Sequence, residues 1–168
     1  HVTVLAAGDA PRDPIASGLN AIDVRWLGGG DAFGWPGMSA RITERPTRLL
    51  SALPFPLHAA TALRGFDRVV AHWIVPCAFP SALTVENVEV WAHGADVRLL
   101  SRAPWVARLM VRALLSRGAR FVFVSESLRA DMMRVLPSPL ADELDRRSRI
   151  EAAPIEVPDR ESLRPPSD

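Results

Sequence analysis

Apolar residues in this chain fall into short runs bounded by turn residues, and the runs switch between a strand period and a helix period. Val2 to Ala6 and Ile22 to Leu27 are β-branched and apolar. The first leaves through Gly8-Asp9-Ala10-Pro11 and the second through Gly28-Gly29-Gly30, so each reads as a strand ending in a turn. Pro11, Pro14 and Gly18 leave little room for a crossover helix between them. The two strands are therefore expected either as hairpin partners or as neighbours joined by an irregular loop. Asp31 to Pro36, carrying Phe33 and Trp35, reads as a surface loop. From Thr47 to Leu63 the spacing of Leu49, Leu50, Leu53, Leu57, Ala60 and Leu63 predicts a helix, kinked or split by Pro54 and Pro56 and ended by Arg64-Gly65.

The central half of the chain has a clearer rhythm. Phe66 to Ile74 contains Val69-Val70-Ala71, a buried strand directly after a helix end, and Val88 to Ala92 is another strand that delivers His93-Gly94-Ala95-Asp96. Pro104 to Arg117 is a helix with Val106, Leu109, Met110, Ala113 and Leu114 on one face, and Gly118 suits the position just past its end. Phe121 to Val124 is a strand, and Ser125 or Ser127 caps a helix running through Leu136. Past Pro137 the chain turns proline-rich and acidic, with one last strand expected in Ile150 to Val157. Helix, glycine stop, strand and capped helix in succession predict an α/β fold: a Rossmann-like, mostly parallel sheet flanked by helices. One domain is expected over residues 1–157, with 158–168 as a tail or interdomain linker.

Composition narrows the class. The 168 residues hold 48% hydrophobic and 23% charged side chains with a formal net charge of +1, which excludes a disordered or collagen-like chain and argues against an electrostatic nucleic-acid binder. Every one of the 20 basic Lys+Arg residues is Arg, a pattern that reads as codon usage. The lone Cys77 has no internal disulfide partner and is expected as a buried, unreactive thiol. The longest apolar window, Val69 to Thr84, is broken by His72, Pro76 and Pro80 and is too short to span a bilayer. With no signal-peptide pattern at His1 to Ala10, a cytoplasmic location is expected.

In open parallel sheets ligands gather outside the carboxyl ends of the strands. Three predicted strands end there in polar groups: Ala71-His72-Trp73, His93-Gly94-Ala95-Asp96 and Ser125-Glu126-Ser127. His93 reads either as a turn residue with Asp96 capping the next helix, or as a neutral imidazole facing a sugar hydroxyl, with Gly94 letting a ligand approach the backbone. His72, beside Trp73, reads as packing or as a second ligand contact. Without a G-x-S-x-G elbow, Ser125 and Ser127 are not expected to act as nucleophiles. Asp9, Asp13 and Asp31 fit turn chemistry as well as a cation. His1, His58, His72 and His93 lack zinc-ligand spacing, so no metal is expected. Arg98, Arg102, Arg108, Arg112, Arg117 and Arg120 surround one helix, as a solvated face or as a surface for anionic headgroups.

Taken in order, Asp67-Arg68-Val69-Val70-Ala71-His72-Trp73-Ile74-Val75-Pro76, Val90-Trp91-Ala92-His93-Gly94-Ala95-Asp96-Val97, the arginine-rich helix and Val122-Phe123-Val124-Ser125-Glu126-Ser127-Leu128 resemble the N-terminal lobe of family 4 glycosyltransferases. The resemblance implies one lobe of a GT-B fold that receives the acceptor in a retaining transfer from a nucleotide-sugar, independent of metal and of any cofactor. It implies a catalytic role for His93, near the reacting sugar. Gly94 and Asp96 would shape that loop, and His72 and Ser125 would line the substrate cleft. Implied partners are the nucleotide-sugar, a carbohydrate or lipid-linked acceptor and a C-terminal donor lobe, with peripheral contact at the inner membrane face through the arginines and no nucleic acid. Two departures stand out: the family's first strand and glycine-rich turn, and its donor lobe, have no counterpart in these residues. The missing strand is expected to leave a gap in the sheet, in a chain that is incomplete or paired with a second copy. A non-catalytic sugar- or protein-binding module is the alternative, and an α/β hydrolase lacks its nucleophile elbow.

Overall fold

The computed structural model describes residues 2–7, 22–28, 32, 41, 44–52 and 54–152. Strands β1 (Val2–Ala6) and β2 (Ile22–Trp26) pair in parallel, Val2 opposite Ile22 and Ala6 opposite Trp26. The parallel register removes the hairpin expectation, because a tight turn joins only antiparallel neighbours. The expected helix between Thr47 and Leu63 is split as the prolines require, into α1 (Arg48–Ala52) and α2 (Pro54–Ala62).

A second, wholly parallel sheet follows, built from β3 (Val69–His72), β4 (Val88–Ala92), β5 (Arg120–Phe123) and β6 (Ser148–Ile150) in that spatial order. Between its strands run α3 (Gly94–Ser101), α4 (Pro104–Ser116), α5 (Glu126–Arg134) and α6 (Ser138–Arg146). This is the expected Rossmann-like α/β arrangement. Among the described residues the two sheets are not hydrogen-bonded to each other. The reading of Ile150 to Val157 as a strand meets β6 at its first residue; residues 153–168, including the expected tail, lie outside the described residues, as do Asp9, Asp13 and the loop from Asp31 except Ala32.

Strand alternation decides which face is buried. Val69 and Ala71 point into the core while Val70 and His72 are exposed; Val88, Val90 and Ala92, then Phe121 and Phe123, continue the buried face. Helix side chains close over it, with Val97 and Leu100 from α3, Val111, Leu114 and Leu115 from α4, Met132 from α5, and Leu140 and Leu144 from α6. On the opposite face Glu89 accepts hydrogen bonds from Arg149 (3.1 Å), Arg68 (3.3 Å) and the Trp91 indole (2.9 Å). Those donors, led by Arg149, hold the Glu89 carboxyl well below its ordinary range, at about 2.

Three elements differ from the sequence reading. The buried stripe of α4 is Ala107, Val111, Leu114 and Leu115, so the helix is rotated from the expected face and Leu109 is 56% exposed. Four residues of that stripe recur at i, i+4, i+7 and i+8, and small Ala107 lets the helix lie close to the sheet. Helix α3 begins at Gly94, so Asp96 lies inside its first turn and is not the cap. Helix α6 was hidden by Pro137 and Pro139, which occupy the cap and first-turn positions, where a proline's missing N–H costs nothing. Gly118 takes φ +82° behind α4, with the N–H groups of Gly118 and Ala119 returning to Leu115 and Leu114, as expected for a glycine stop.

Leu144, fully buried in the last turn of α6, is expected to cost about 2–5 kcal/mol of unfolding free energy when cut to alanine. Leu109→Ala, on the exposed stripe of α4, is expected to change it by less than about 0.5 kcal/mol. Denaturant titration of both variants checks the helix assignment and the rotation of α4 together; equal losses would refute the rotation.

Candidate functional site

The carboxyl ends of β3 and β4 bring His72 and His93 together. Their Cα atoms are not register partners, since His72 lies opposite Trp91, yet Nδ1 of His72 and Nε2 of His93 are 3.1 Å apart. The rings are nearly stacked, with centroids 5.3 Å apart and planes 27° from parallel. Two nitrogens at this distance share one proton, so one imidazole donates and the other accepts. Burial pulls both imidazoles below their usual value, and for His72 the charge of His93 adds to it. The pair is therefore neutral at pH 7. Trp91 flanks His72 at 5.7 Å between ring centres, and Trp73 meets His93 edge-on at 6.2 Å.

Trp73 is held in an unusual way. It takes φ 74° and ψ 135°, a region that bulky L-residues avoid, and its ring stays 46% exposed. Backbone strain of this kind persists where neighbouring bonds over-determine it. Here the Trp73 N–H donates to the Trp91 carbonyl (2.8 Å), the Trp73 carbonyl accepts from Ala78 (3.1 Å), and the next N–H, that of Ile74, donates to Oδ2 of Asp96 (2.8 Å).

Asp96 thus ties two elements together and does not cap the helix. It is 4% exposed, and its second oxygen accepts from the Val97 N–H at 2.9 Å. Its carboxylate clamps the loop after β3 to the start of α3. Burial raises its pKa to about 6, against the pull of the backbone N–H groups around it. A side chain at Gly94 would meet the Arg98 guanidinium at 3.0 Å, so the arginine lies over the glycine. The i, i+4 spacing of Gly94 and Arg98 on a helix is the signal that could have shown this.

Ser125 stands past the carboxyl end of β5, on the same rim. Its hydroxyl caps α5 by accepting from the Leu128 N–H (3.4 Å) and lies 3.0 Å from the Ser127 hydroxyl. Cys77 is half-buried, with burial pushing its thiol up to about 11, so it stays protonated. Among the described residues no three metal-ligating side chains converge. Nor is any described helix long and apolar enough to cross a membrane. The six arginines do not act as one face: Arg98 covers Gly94, Arg108 and Arg117 donate to the Val135 and Leu83 carbonyls, and Arg120 opens β5 at the other rim. Arg112 shares an outward stripe of α4 with Trp105 and Leu109, 72% and 56% exposed.

One further recess escaped the sequence reading. Trp26, Gly28, His58 and Thr61 line a cleft of about 550 Å³ between the end of β2 and α2. Nδ1 of His58 donates to the Leu27 carbonyl (3.0 Å). Compared with protein-family models, curated proteins and solved structures, the chain matches none.

Asp96→Ala is expected to cost about 1–3 kcal/mol by orphaning the buried Ile74 N–H, whereas Gly94→Ala, displacing only the flexible end of Arg98, is expected to stay within about 1 kcal/mol of the parent. Thermal melts of the two variants check this; a harmless Asp96→Ala would remove the clamp. Because the folded-state pKa values of His72 and His93 are depressed, their contribution to stability is complete above the usual 6.5 and is lost as pH falls below it. Asp96, with a raised value, acts oppositely as pH rises from 3.8 to about 6. NMR titration of the imidazole C–H signals should give midpoints below 6.5 for both rings, and a midpoint above it for either would contradict a neutral pair.

Proposed function

We propose that this chain forms the acceptor-side wall of a retaining glycosyltransferase, holding a carbohydrate acceptor at the His72–His93 rim while a facing donor lobe presents a nucleotide-sugar. The observation that carries this reading is the neutral, proton-sharing histidine pair beside an exposed tryptophan. If Nδ1 of His72 donates to Nε2 of His93, the remaining nitrogens are a lone pair on His72 Nε2 and an N–H on His93 Nδ1; the opposite tautomers exchange these roles. Either way the pair offers one donor and one acceptor. Sugar hydroxyls need both, and the Trp73 ring offers an apolar face for the C–H side of a pyranose.

The order of these residues along the chain, with its resemblance to the N-terminal lobe of family 4 glycosyltransferases, makes His93 the residue nearest the reacting sugar. His72 sets its tautomer. Trp73 and the Asp96 clamp act as positioning residues. Transfer requires donor and acceptor to be held together, so on this reading the chain binds an acceptor but does not turn it over without the donor lobe. The outward stripe of Trp105, Leu109 and Arg112 then suits an anionic membrane surface that carries a lipid-linked acceptor.

Turnover of radiolabelled nucleotide-sugar by the complete gene product is expected to fall at least tenfold with His93→Ala, the equivalent of one neutral hydrogen bond of about 1.4 kcal/mol. Turnover untouched by His93→Ala would end this assignment. Sugar binding at the rim with no donor-dependent turnover in the complete gene product would instead identify a non-catalytic carbohydrate-binding module.

A further inference from the structure

A second polar recess opens at the opposite rim of the sheet, where β5 and β6 begin. It has a volume of about 530 Å³, and its lining includes Arg120, Arg146, Arg147 and Arg149 with no acidic side chain. These four come from three elements: the first residue of β5, the end of α6 with the residue after it, and the middle of β6. They form two classes. Arg149 is gripped between Glu89 (3.1 Å) and Glu151 (3.0 Å), and Arg147 donates to the Leu115 carbonyl (3.2 Å) and lies 3.6 Å from Glu143. Arg120 and Arg146 are exposed and have no carboxylate or carbonyl partner among the described residues.

Two guanidinium groups are thus fixed and neutralised, while two more converge on the same recess without neutralisation. Like charges gathered in one concavity repel each other, and a bound anion relieves that repulsion. Guanidinium forks match the oxygens of a phosphate group, and a recess of this size takes more than a single phosphate. Arg146 also sits in the last turn of α6, where any cation meets the helix dipole favourably, but that accounts for one arginine and not for the convergence of four.

We propose that this recess is an anion site for a phosphate-bearing ligand, with Arg120 and Arg146 as its contact residues and Arg147 and Arg149 as its fixed walls. It lies at the amino ends of the strands, away from the His72–His93 rim, so it stands independently of the glycosyltransferase reading. The shared chemistry is an anionic phosphoryl group, supplied by a free phosphate compound or by a phospholipid headgroup.

The test uses the full chain in about 50 mM salt, where surface electrostatics are only partly screened. Pyrophosphate is titrated by calorimetry, and vesicles of phosphatidylglycerol are used in co-sedimentation, each with the parent, with Arg120→Gln/Arg146→Gln and with Arg64→Gln/Arg102→Gln as a charge-matched control. At least a tenfold loss of affinity in the first double variant, with the control unchanged, is expected in one arm; the pyrophosphate arm assigns a free phosphate compound and the vesicle arm a headgroup. No binding in either arm, or an equal loss in the control, overturns the site. Both variants alter exposed arginines without side-chain partners among the described residues, and matching melting temperatures would confirm that a loss of binding is not a loss of fold.

Discussion

The hydrogen bond from the Ile74 N–H to the Asp96 carboxylate is the constraint on which the rim of this sheet depends. A buried carboxylate is costly, and it is retained when its oxygens are occupied by N–H donors. Here those donors belong to two different elements, the loop leaving β3 and the first turn of α3. The clamp fixes the peptide after Trp73, the Trp91 carbonyl fixes the peptide before it, and between them the indole is held in a conformation it would not choose. His72 precedes this pinned residue directly, so the same bonds determine where its imidazole meets His93. A change at Asp96 therefore reaches the site through the backbone.

Charge is partitioned between the two rims. At the carboxyl ends of the strands neutral imidazoles, hydroxyls engaged in capping and one arginine folded over a glycine stand beside the carboxylates of Glu126 and Glu151. At the amino ends guanidinium ions gather, partly balanced by Glu89 and Glu143. A net charge of +1 over the chain hides this asymmetry entirely. A rim of imidazoles, hydroxyls and carboxylates and a rim of guanidinium ions select different ligands, so the two rims of one sheet are chemically distinct.

Periodicity made most of the fold legible. The strands at Val69, Val88 and Phe121 and the glycine stop at Gly118 follow from local pattern, because β-branched runs and a residue at positive φ have few alternatives. Helix α6 was not legible, since prolines that end one helix are also those that begin another, and its Leu140–Leu144 spacing is too short to stand out. At the site, the approach of His72 to His93 could be inferred from parallel strands ending at one rim. Asp96 was misread because a favoured cap residue three positions into a helix looks the same in sequence as one at its start; only burial separates them. Arg98 was grouped with a charged run, and its fold-back over Gly94 is a three-dimensional fact.

The separation of the chain into two sheets has a consequence for motion. Among the described residues the β1–β2 pair touches the larger core through Leu5 and through the His58–Leu27 hydrogen bond, and Val2, Val4, Val24 and Trp26 are exposed. Sub-global opening follows the regions with least burial. The β1–β2 ribbon, with the Trp26–His58 cleft at its end, is then the unit that detaches first, while the four-stranded sheet keeps its helices and its amide protons.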